Sequence, residues 1–242
     1  ITAGKETTEY ETFAAAVTAL NQSIEDVPTT LTLLENLTID ENIEIKGGTQ
    51  TTLDLNGNTV TLSGNITLSS GKLLLTDSNT DNPGKLTITG SHNFDVTASE
   101  GSAELAIQNC VIEARQTAVK TTGENASLKI ENGADVSATE RSAVVIVENG
   151  YFEMTGGQLI GSSGPALTDS SNANGLISGG SLTGNANGAS AVSLRGSWTI
   201  SDGTFILQNG GPACVSVETG GTVNITGGAF DASQSMMGMY GI

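Results

Sequence analysis

The sequence predicts an all-β fold, a parallel β-solenoid of about nine coils, on three observations. Short segments recur roughly every 23 residues, and each reads as a strand, a polar bend and a second strand. Apolar residues alternate at a period of two with Val, Ile and Thr prominent, a pattern typical of strands and not of helices. Glycine fills 31 of 242 positions and repeatedly interrupts the segments, as short strands joined by bends require.

The second apolar residue of each first strand marks the repeat. From the fourth coil onward the markers stand 23, 24, 23, 23 and 25 residues apart, and upstream they stand 22 and 20 apart. The step between Leu75 and Ile107 is 32 residues and contains the loop-like stretch 76–84, which we interpret as an insertion. The markers are Leu33, Leu55, Leu75, Ile107, Ile130, Met154, Ile177, Ile200 and Ile225.

A third strand and a recurring type of bend complete each predicted coil. Third strands are expected at residues 43–45, 66–68, 94–96, 118–121, 143–147, 166–168, 191–194 and 213–217. Gly, Asn and Asp enter the left-handed backbone region at low cost, and one of them stands two residues beyond nearly every marker. We therefore expect a stacked column of left-handed residues at Gly57, Asp77, Asn109, Asn132, Gly156, Gly179, Asp202 and Gly227.

The two ends of a solenoid need covers, because each exposes edge strands and an open core. Residues 8–22 are predicted to form an amphipathic helix that caps the first coil. Thr8 and Glu11 have capping-box spacing, and the apolar face comprises Tyr10, Phe13, Val17 and Leu20. Residues 231–242 have no repeat and are interpreted as a C-terminal cap or the cut end of a longer protein.

The coil length, the tight Asn/Gly bend and the segments TTLDLNGNTVTL (51–62) and LLLTDSNTDNPGKLTITG (73–90) resemble the right-handed parallel β-helix of pectin-lyase-like proteins. More narrowly, they are similar to the Gly/Thr/Asn-rich β-helices of large surface proteins of gut bacteria. The resemblance covers residues 31–230. It implies a single-stranded right-handed β-helix with three short strands per coil, which makes residues 1–242 one domain.

The charge balance excludes several classes of function. The chain has 26 acidic and 9 basic side chains and a formal net charge of -17, so the basic footprint of nucleic-acid binding is missing. No apolar run is long enough for a membrane-spanning helix, and we expect no membrane insertion. Since the sequence begins at Ile1, we expect that any secretion signal was removed or lies outside it. Strong acidity with few aromatic residues suits an extracellular or cell-surface protein.

No catalytic constellation emerges from the residues. The resembled lyases hold calcium with clustered Asp and use Arg or Lys as base, whereas Arg115, Arg141 and Arg195 fall at different positions of their coils. The related glycoside hydrolases need carboxylates on a single face, but Glu44 and Asp95 stand isolated on the predicted third strands. The lone histidine, His92, is predicted in a turn. We therefore assign no catalytic residue.

Metal and ligand sites are limited to a few candidates. Asp77 and Asp81 lie in the oxygen-rich stretch 76–82 and are candidates for a Ca²⁺ site; the alternative is a solvated polar loop. Trp198 occupies the apolar column two residues before the markers and is expected to point inward beside Gly175. Tyr151 and Tyr240 remain as candidate sugar-contacting aromatics, although two scattered tyrosines make no platform.

Cys110 and Cys214 are separated by about four coils, or roughly 20 Å at the strand spacing of a sheet. A disulfide needs Cα atoms within about 7 Å, so we expect two free, buried thiols.

Two functions therefore remain. The first is a non-catalytic extracellular module, adhesin-like or glycan-contacting, that belongs to a longer parent protein and binds surface glycans or proteins. The alternative is a polysaccharide lyase or glycoside hydrolase, for which the fold resemblance is the only support.

Overall fold

Three stacks of short parallel strands build the protein, as the repeat predicts. The computed structural model describes residues 1–3, 6–22, 27–99, 101–185, 188–209 and 211–234. The chain winds into an all-β parallel solenoid of about nine turns with one short helix near its N-terminus. Each of the first eight coils contributes one strand to each of three stacks, and the described part of the ninth coil contributes to two of them. We name the stacks the first, second and third sheets in the order in which a coil visits them.

The elements have the following bounds. The helix α1 spans Phe13–Gln22, and the strands in chain order are β1 (Thr2–Ala3), β2 (Glu6–Thr7), β3 (Thr29–Thr32), β4 (Leu37–Ile39), β5 (Ile43–Lys46), β6 (Thr51–Asp54), β7 (Thr59–Leu62), β8 (Ile66–Thr76), β9 (Lys85–Ile88), β10 (Phe94–Val96), β11 (Ala103–Ile107), β12 (Val111–Ala114), β13 (Val119–Thr122), β14 (Ala126–Ile130), β15 (Asp135–Ala138), β16 (Val145–Glu148), β17 (Tyr151–Met154), β18 (Gln158–Gly161), β19 (Leu167–Asp169), β20 (Asn174–Gly184), β21 (Val192–Leu194), β22 (Ser197–Gln208), β23 (Val215–Val217), β24 (Thr222–Ile225) and β25 (Ala229–Gln234).

Strands of one sheet pair in parallel with their equivalents on the coils before and after. In the first sheet β11 pairs with β14 and β14 with β17, in the second β12 pairs with β15 and β15 with β18, and in the third β13 pairs with β16 and β16 with β19. The long strands β8, β20 and β22 each serve two sheets, because they continue through a bend. Alternate residues of every strand point into one continuous core of Leu, Ile, Val, Ala and Phe.

The register of the first three coils differs from the sequence prediction by two residues. Leu31 pairs with Leu53, and Leu53 pairs with Leu75. The predicted markers Leu33 and Leu55 therefore lie two residues beyond the row that contains Leu75, and the steps are 22 and 22 rather than 22 and 20. Because Leu33 and Leu55 are buried like Leu31 and Leu53, the alternation of apolar residues is satisfied equally by either register.

The bend between the first and second strands lies where the sequence predicts it, but the left-handed residue is usually the next one along. Of the predicted column, Gly57 and Asn109 have positive φ, whereas Gly157 and not Gly156 has it, at 71°. Gly156 is glycine for a different reason, since a Cβ there would collide with the side-chain oxygen of Asn132 on the preceding coil. The other left-handed residues that follow the predicted column by one are Gly133, Gly180, Gly203 and Gly228.

The predicted insertion is confirmed in the third coil. Residues 77–84 form a loop between β8 and β9, whereas residues 108–110 suffice for the same bend between β11 and β12 in the next coil. Asp77 lies opposite Asn109, whose carbonyl oxygen accepts a hydrogen bond of 3.1 Å from the Asp77 amide. The extra residues therefore bulge outward and leave the stacking of the coils unchanged.

The N-terminal helix is shorter than predicted. It begins at Phe13, and the N-cap is Thr12, whose Oγ1 accepts a hydrogen bond of 3.1 Å from the amide of Ala15. The prediction that Thr8 caps the helix is wrong: Thr8 precedes the helix, and its amide donates instead to the carbonyl of Ile1. On the predicted apolar face Val17 is buried against the first coils, which confirms the capping role of the helix.

Side-chain and main-chain hydrogen bonds attach this cap to the edge of the solenoid. The side chain of Asn21 donates to the carbonyl oxygen of Glu44 and accepts from the amide of Lys46, both at 2.8 Å. These are groups of β5, the first strand of the third sheet. The first sheet is covered differently, because β1 pairs antiparallel with β3 and with β2. Both sheets thus have a partner at the N-terminal end.

The predicted C-terminal segment 231–242 lies partly outside the described residues. Its first residues extend β25, which pairs with β22, and residues 235–242, with Tyr240, are not described. Phe230 stacks on Phe205 with ring centroids 4.9 Å apart and planes 11° apart, so the core continues into this coil. Inward residues are nevertheless more exposed here, and Val217 at the end of β23 is 50% exposed.

Candidate functional site

Trp198 belongs to the core and not to a sugar-binding surface. It lies on β22 at an inward position and is 2% exposed, as the apolar column predicts. Gly175 on the preceding coil pairs with it, and a Cβ at Gly175 would collide with the six-membered ring of the indole. The space above Gly175 also admits Phe152 from one coil further back, with ring centroids 5.8 Å apart. The sequence argument for Gly175 is therefore confirmed.

The indole nitrogen of Trp198 donates a hydrogen bond to a buried carboxylate, that of Asp169, which the sequence analysis did not single out. Asp169 is the last residue of β19 and is buried, and its carboxylate accepts hydrogen bonds from five donors. Four are main-chain amides, so the site closes the bend between the third and first sheets. The donors are the amides of Ser171 (3.1 Å) and Ala173 (3.2 Å) to Oδ1, and the amides of Arg195 (3.1 Å) and Gly196 (2.7 Å) and the indole of Trp198 (3.0 Å) to Oδ2.

The calcium candidates Asp77 and Asp81 differ in environment. Asp77 is buried, and its carboxylate accepts hydrogen bonds from the amides of Gly57 (3.0 Å), Asn79 (2.8 Å) and Gly84. Asp81 is exposed at the tip of the same loop. Amide donors that converge on a carboxylate take the lone pairs that a cation would use, so Asp77 serves as a loop clamp. Within the described ranges, no three Asp, Glu, His or Cys side chains converge in a way that would hold a metal ion.

Both cysteines are buried and neither forms a disulfide. Burial, with a smaller contribution from the charge of Asp77, raises the pKa of the Cys110 thiol to about 12. Burial also raises the pKa of the Cys214 thiol. A neutral, enclosed thiol is a poor nucleophile, so neither residue is a candidate for covalent chemistry.

The acidic residues of the third sheet each contact a partner that is not an acid. Glu44 accepts a hydrogen bond of 2.6 Å from the hydroxyl of Ser69, and Asp95 accepts one of 2.9 Å from the side chain of Asn93. Two further acids, which the predicted third strands did not include, lie at the end of β16 and just beyond β23. Glu148 forms an ion pair of 3.1 Å with Lys120, and Glu218 accepts a hydrogen bond of 2.7 Å from Ser193.

Asp95 lies on β10 between Thr67 and Lys120 of the two neighbouring strands. Burial raises its pKa, while the hydrogen bond from Asn93 and the charge of Lys120 act in the opposite direction. Lys120 lies next to Asp95 on the adjacent strand, and Glu148 lies on the strand beyond. Lys120 is therefore the charged neighbour of Asp95 on one side. On the other side Glu44 lies two strands away in the same column, since both acids pair with Thr67, so the prediction that the two acids stand isolated is wrong.

The prediction that the arginines lie at different positions of their coils holds for Arg195 but is wrong for Arg115 and Arg141, which lie in the same bend, between the second and third sheets, on adjacent coils. Arg115 forms an ion pair of 2.6 Å with Glu140, which precedes the exposed Arg141 in that bend of the next coil. Arg195 is exposed in the bend between the third and first sheets. His92 is partly buried in the loop before β10.

The outward face of the first sheet carries a different arrangement, centred on Tyr151. The phenol is 37% exposed, because β17 turns its neighbour Phe152 into the core. Glu153 lies two residues along the same strand, and Asn174 lies beside Tyr151 on the next coil, followed by Ser197 one coil later. We refer to Tyr151, Glu153, Asn174 and Ser197 as the Tyr151 face.

Charge pairs border this face on the preceding coils. Glu104 binds Lys129 at 3.0 Å and Lys72 at 3.7 Å. The pKa of Tyr151 is raised by burial first and by the negative charge of Glu153 second, whereas Lys129 acts to lower it. The phenol therefore lies within the electrostatic reach of both Glu153 and Lys129.

No helix in the described part is long and apolar enough to cross a bilayer. The fold is that of a β-solenoid, and the outward faces carry the candidate chemistry. Searches against protein-family models, curated proteins and solved structures found no match to this chain.

Proposed function

We propose that this chain is a non-catalytic module of a secreted or cell-surface protein, with an adhesin-like or glycan-contacting role. We also propose that its solenoid is a right-handed β-helix of the pectin-lyase-like kind, similar to those of gut-bacterial surface proteins. The sequence resemblance over residues 31–230 supports this assignment. Other domains of a longer parent protein would place the module at the surface, where glycans or proteins are its partners.

The observation that carries the non-catalytic role is the pairing of the third-sheet acids. Hydrolysis of a glycosidic bond needs two carboxyl groups on either side of the bond, roughly 5–10 Å apart. Among the described residues of this sheet, the outward acids Glu44, Asp95, Glu148 and Glu218 each have a hydroxyl, amide or ammonium partner. Such pairing holds the side chains in structural roles and supports a scaffold over an enzyme.

One observation favours the alternative, a polysaccharide lyase or glycoside hydrolase. A raised pKa, as at Asp95, is what a general acid requires, and Lys120 beside it is of the type that abstracts a proton in the resembled lyases. The second carboxylate in the column of Asp95 is Glu44, because both acids pair with Thr67 and so lie two strand spacings, or roughly 10 Å, apart. The alternative therefore predicts that Asp95→Asn abolishes a cleavage activity that the unsubstituted protein shows.

Two assays on the same preparation test the proposal. A glycan array measures binding, and a reducing-end assay on a polysaccharide panel, read together with the absorbance of unsaturated products, measures cleavage. Binding without cleavage supports the proposed function. Cleavage that disappears in Asp95→Asn would replace it with the enzymatic alternative.

The cofactor expectation is tested separately. We propose that the module needs no cofactor. Calcium binding at Asp77 and Asp81 stays a prediction. Titration calorimetry with CaCl₂ on the parent and on Asp81→Asn decides between the two, because a loop site would lose its heat signal in the variant.

A further inference from the structure

Tyr151 occupies an unusual position among the aromatic residues. Phe94, Phe152, Trp198 and Phe205 are buried. Tyr10, at 39% exposure, precedes the helix, so within the described coils Tyr151 is the aromatic residue at an outward position. A phenol ring on a flat sheet presents an apolar surface with a polar edge, and it contacts ligands at a small cost in side-chain entropy.

The polar groups around this ring are available to a ligand. Among the described residues, no hydrogen bond occupies the side chains of Glu153, Asn174 or Ser197. Glu153 lies beside Lys129 and interacts with its charge, while the ion pair of 3.0 Å that Lys129 forms is with Glu104. Adjacent strands are separated by roughly 4.8 Å, so Asn174 and Ser197 lie about one and two strand spacings from Tyr151. One aromatic ring therefore has acceptors and donors on the side of the following coils.

The charges favour an uncharged ligand. Lys72 and Lys129 balance Glu104 and Glu153 in these columns, so the face offers no excess of positive charge to an anion. The whole chain carries a formal charge of -17, which repels acidic polymers at low ionic strength. An apolar ring bordered by amide, hydroxyl and carboxylate groups matches the C–H faces and hydroxyls of a neutral sugar.

We propose that the Tyr151 face is a binding site for a neutral glycan, with a sugar ring stacked on Tyr151 and its hydroxyls bound by Glu153, Asn174 and Ser197. The inference rests on the proposed glycan-contacting function and names its site and its ligand class. Glu153 accepts hydrogen bonds from the sugar, Asn174 both donates and accepts, and the stacking supplies the apolar part of the contact.

Affinity electrophoresis on native gels tests the site. Gels that contain a neutral β-glucan, mannan, xylan or galactan are compared with gels that contain acidic polygalacturonan, for the parent protein and three variants. Tyr151→Ala removes the ring, Asn174→Ala removes an exposed amide of the same face, and Tyr10→Ala is the matched control at a similarly exposed tyrosine. The emission of Trp198, which lies inside the same sheet, verifies that each variant is folded.

We expect a neutral polysaccharide to retard the parent and Tyr10→Ala equally. Tyr151→Ala should bind about tenfold more weakly, a factor that corresponds to one aromatic contact, and Asn174→Ala should be weakened as well. If Tyr151→Ala and Asn174→Ala are retarded like the parent, the site is wrong while the glycan-contacting function stands. Retardation by polygalacturonan alone overturns the ligand class. A parent protein that no polysaccharide retards overturns both the glycan-contacting function and this site.

Discussion

The indole Nε1 of Trp198 donates a hydrogen bond of 3.0 Å to the carboxylate of Asp169, which lies on the third sheet while Trp198 lies on the first. The bond joins two walls of the solenoid across a bend. It also satisfies the one polar atom of a large side chain that is otherwise enclosed by apolar neighbours. A buried acid and a buried indole thus depend on each other at a position that the apolar column predicts to be purely hydrophobic.

Asp169→Asn should destabilise the protein by about 2–4 kcal/mol. The amide that replaces one carboxylate oxygen turns its own N–H groups toward the donors that the oxygen accepted. Urea unfolding followed by circular dichroism measures the loss. Asp81→Asn at the exposed loop tip is the control and should change stability by less than about 0.5 kcal/mol. Equal stability of the two variants would show that the carboxylate is not needed.

Gly175→Ala should cost about 1–3 kcal/mol, because the added methyl group collides with the indole of Trp198. Trp198→Ala should cost roughly 3–5 kcal/mol through the cavity that it leaves. The double variant should be more stable than the sum of the two losses predicts, since removal of the ring makes room for the methyl group. Strict additivity of the three unfolding free energies would contradict the packing described above.

The thiols should stay unreactive in the folded protein. At pH 8, Ellman's reagent should find none in the native state and, once the chain is denatured without reductant, both of the 2 cysteines. A single disulfide would instead leave the denatured chain without a titratable thiol, against the arrangement described here.

Stability should also fall at alkaline pH because of Cys110. Its pKa is raised from an ordinary value of 9.0 to about 12, so the folded state holds the proton more tightly than the unfolded state. The contribution is fully present below about pH 9 and is lost as the pH rises toward 12. Cys110→Ala should therefore flatten the decline in unfolding free energy between pH 8 and 10.5. A decline that persists unchanged in Cys110→Ala would trace it to other groups.

The helix cap should depend on Thr12 and not on Thr8. Thr12→Ala removes the oxygen that accepts from the Ala15 amide and should destabilise the helix by about 1 kcal/mol. Thr8→Ala leaves the main-chain bond between Thr8 and Ile1 in place and should be neutral. Hydrogen exchange of the Ala15 amide measures both effects locally. Faster exchange in Thr8→Ala alone would restore the capping box at Thr8 and Glu11.

The parts of the fold that sequence could predict are those encoded within one coil. Alternation put Phe152 and Trp198 inside, and the small residue between them identified Gly175 as the space that both rings use. The stretch 76–84 is too long for a bend, and residues 77–84 of it form a loop. Each of these inferences needs only the period of a strand and the volume of a side chain.

The parts that sequence did not predict depend on contacts between coils or between distant segments. The register of Leu53 against Leu75 was ambiguous, because a shift of two residues leaves every apolar side chain pointing inward. Asp169 is one acid among many until the next coil delivers its donors. The antiparallel strand β1 has two residues and no signal of its own beyond the edge that it covers.

The parallel pairing has a consequence for how the molecule unfolds. Each coil bonds only to the coils before and after it, with paired residues such as Leu53 and Leu75, or Leu75 and Ile107, close in sequence. Unfolding can therefore begin at one end and advance coil by coil, and a single melting temperature need not describe the chain. Fluorescence of Trp198 then reports on the coils around β22, whereas circular dichroism averages over the whole solenoid, and the separation of the two transitions measures how cooperatively the coils melt.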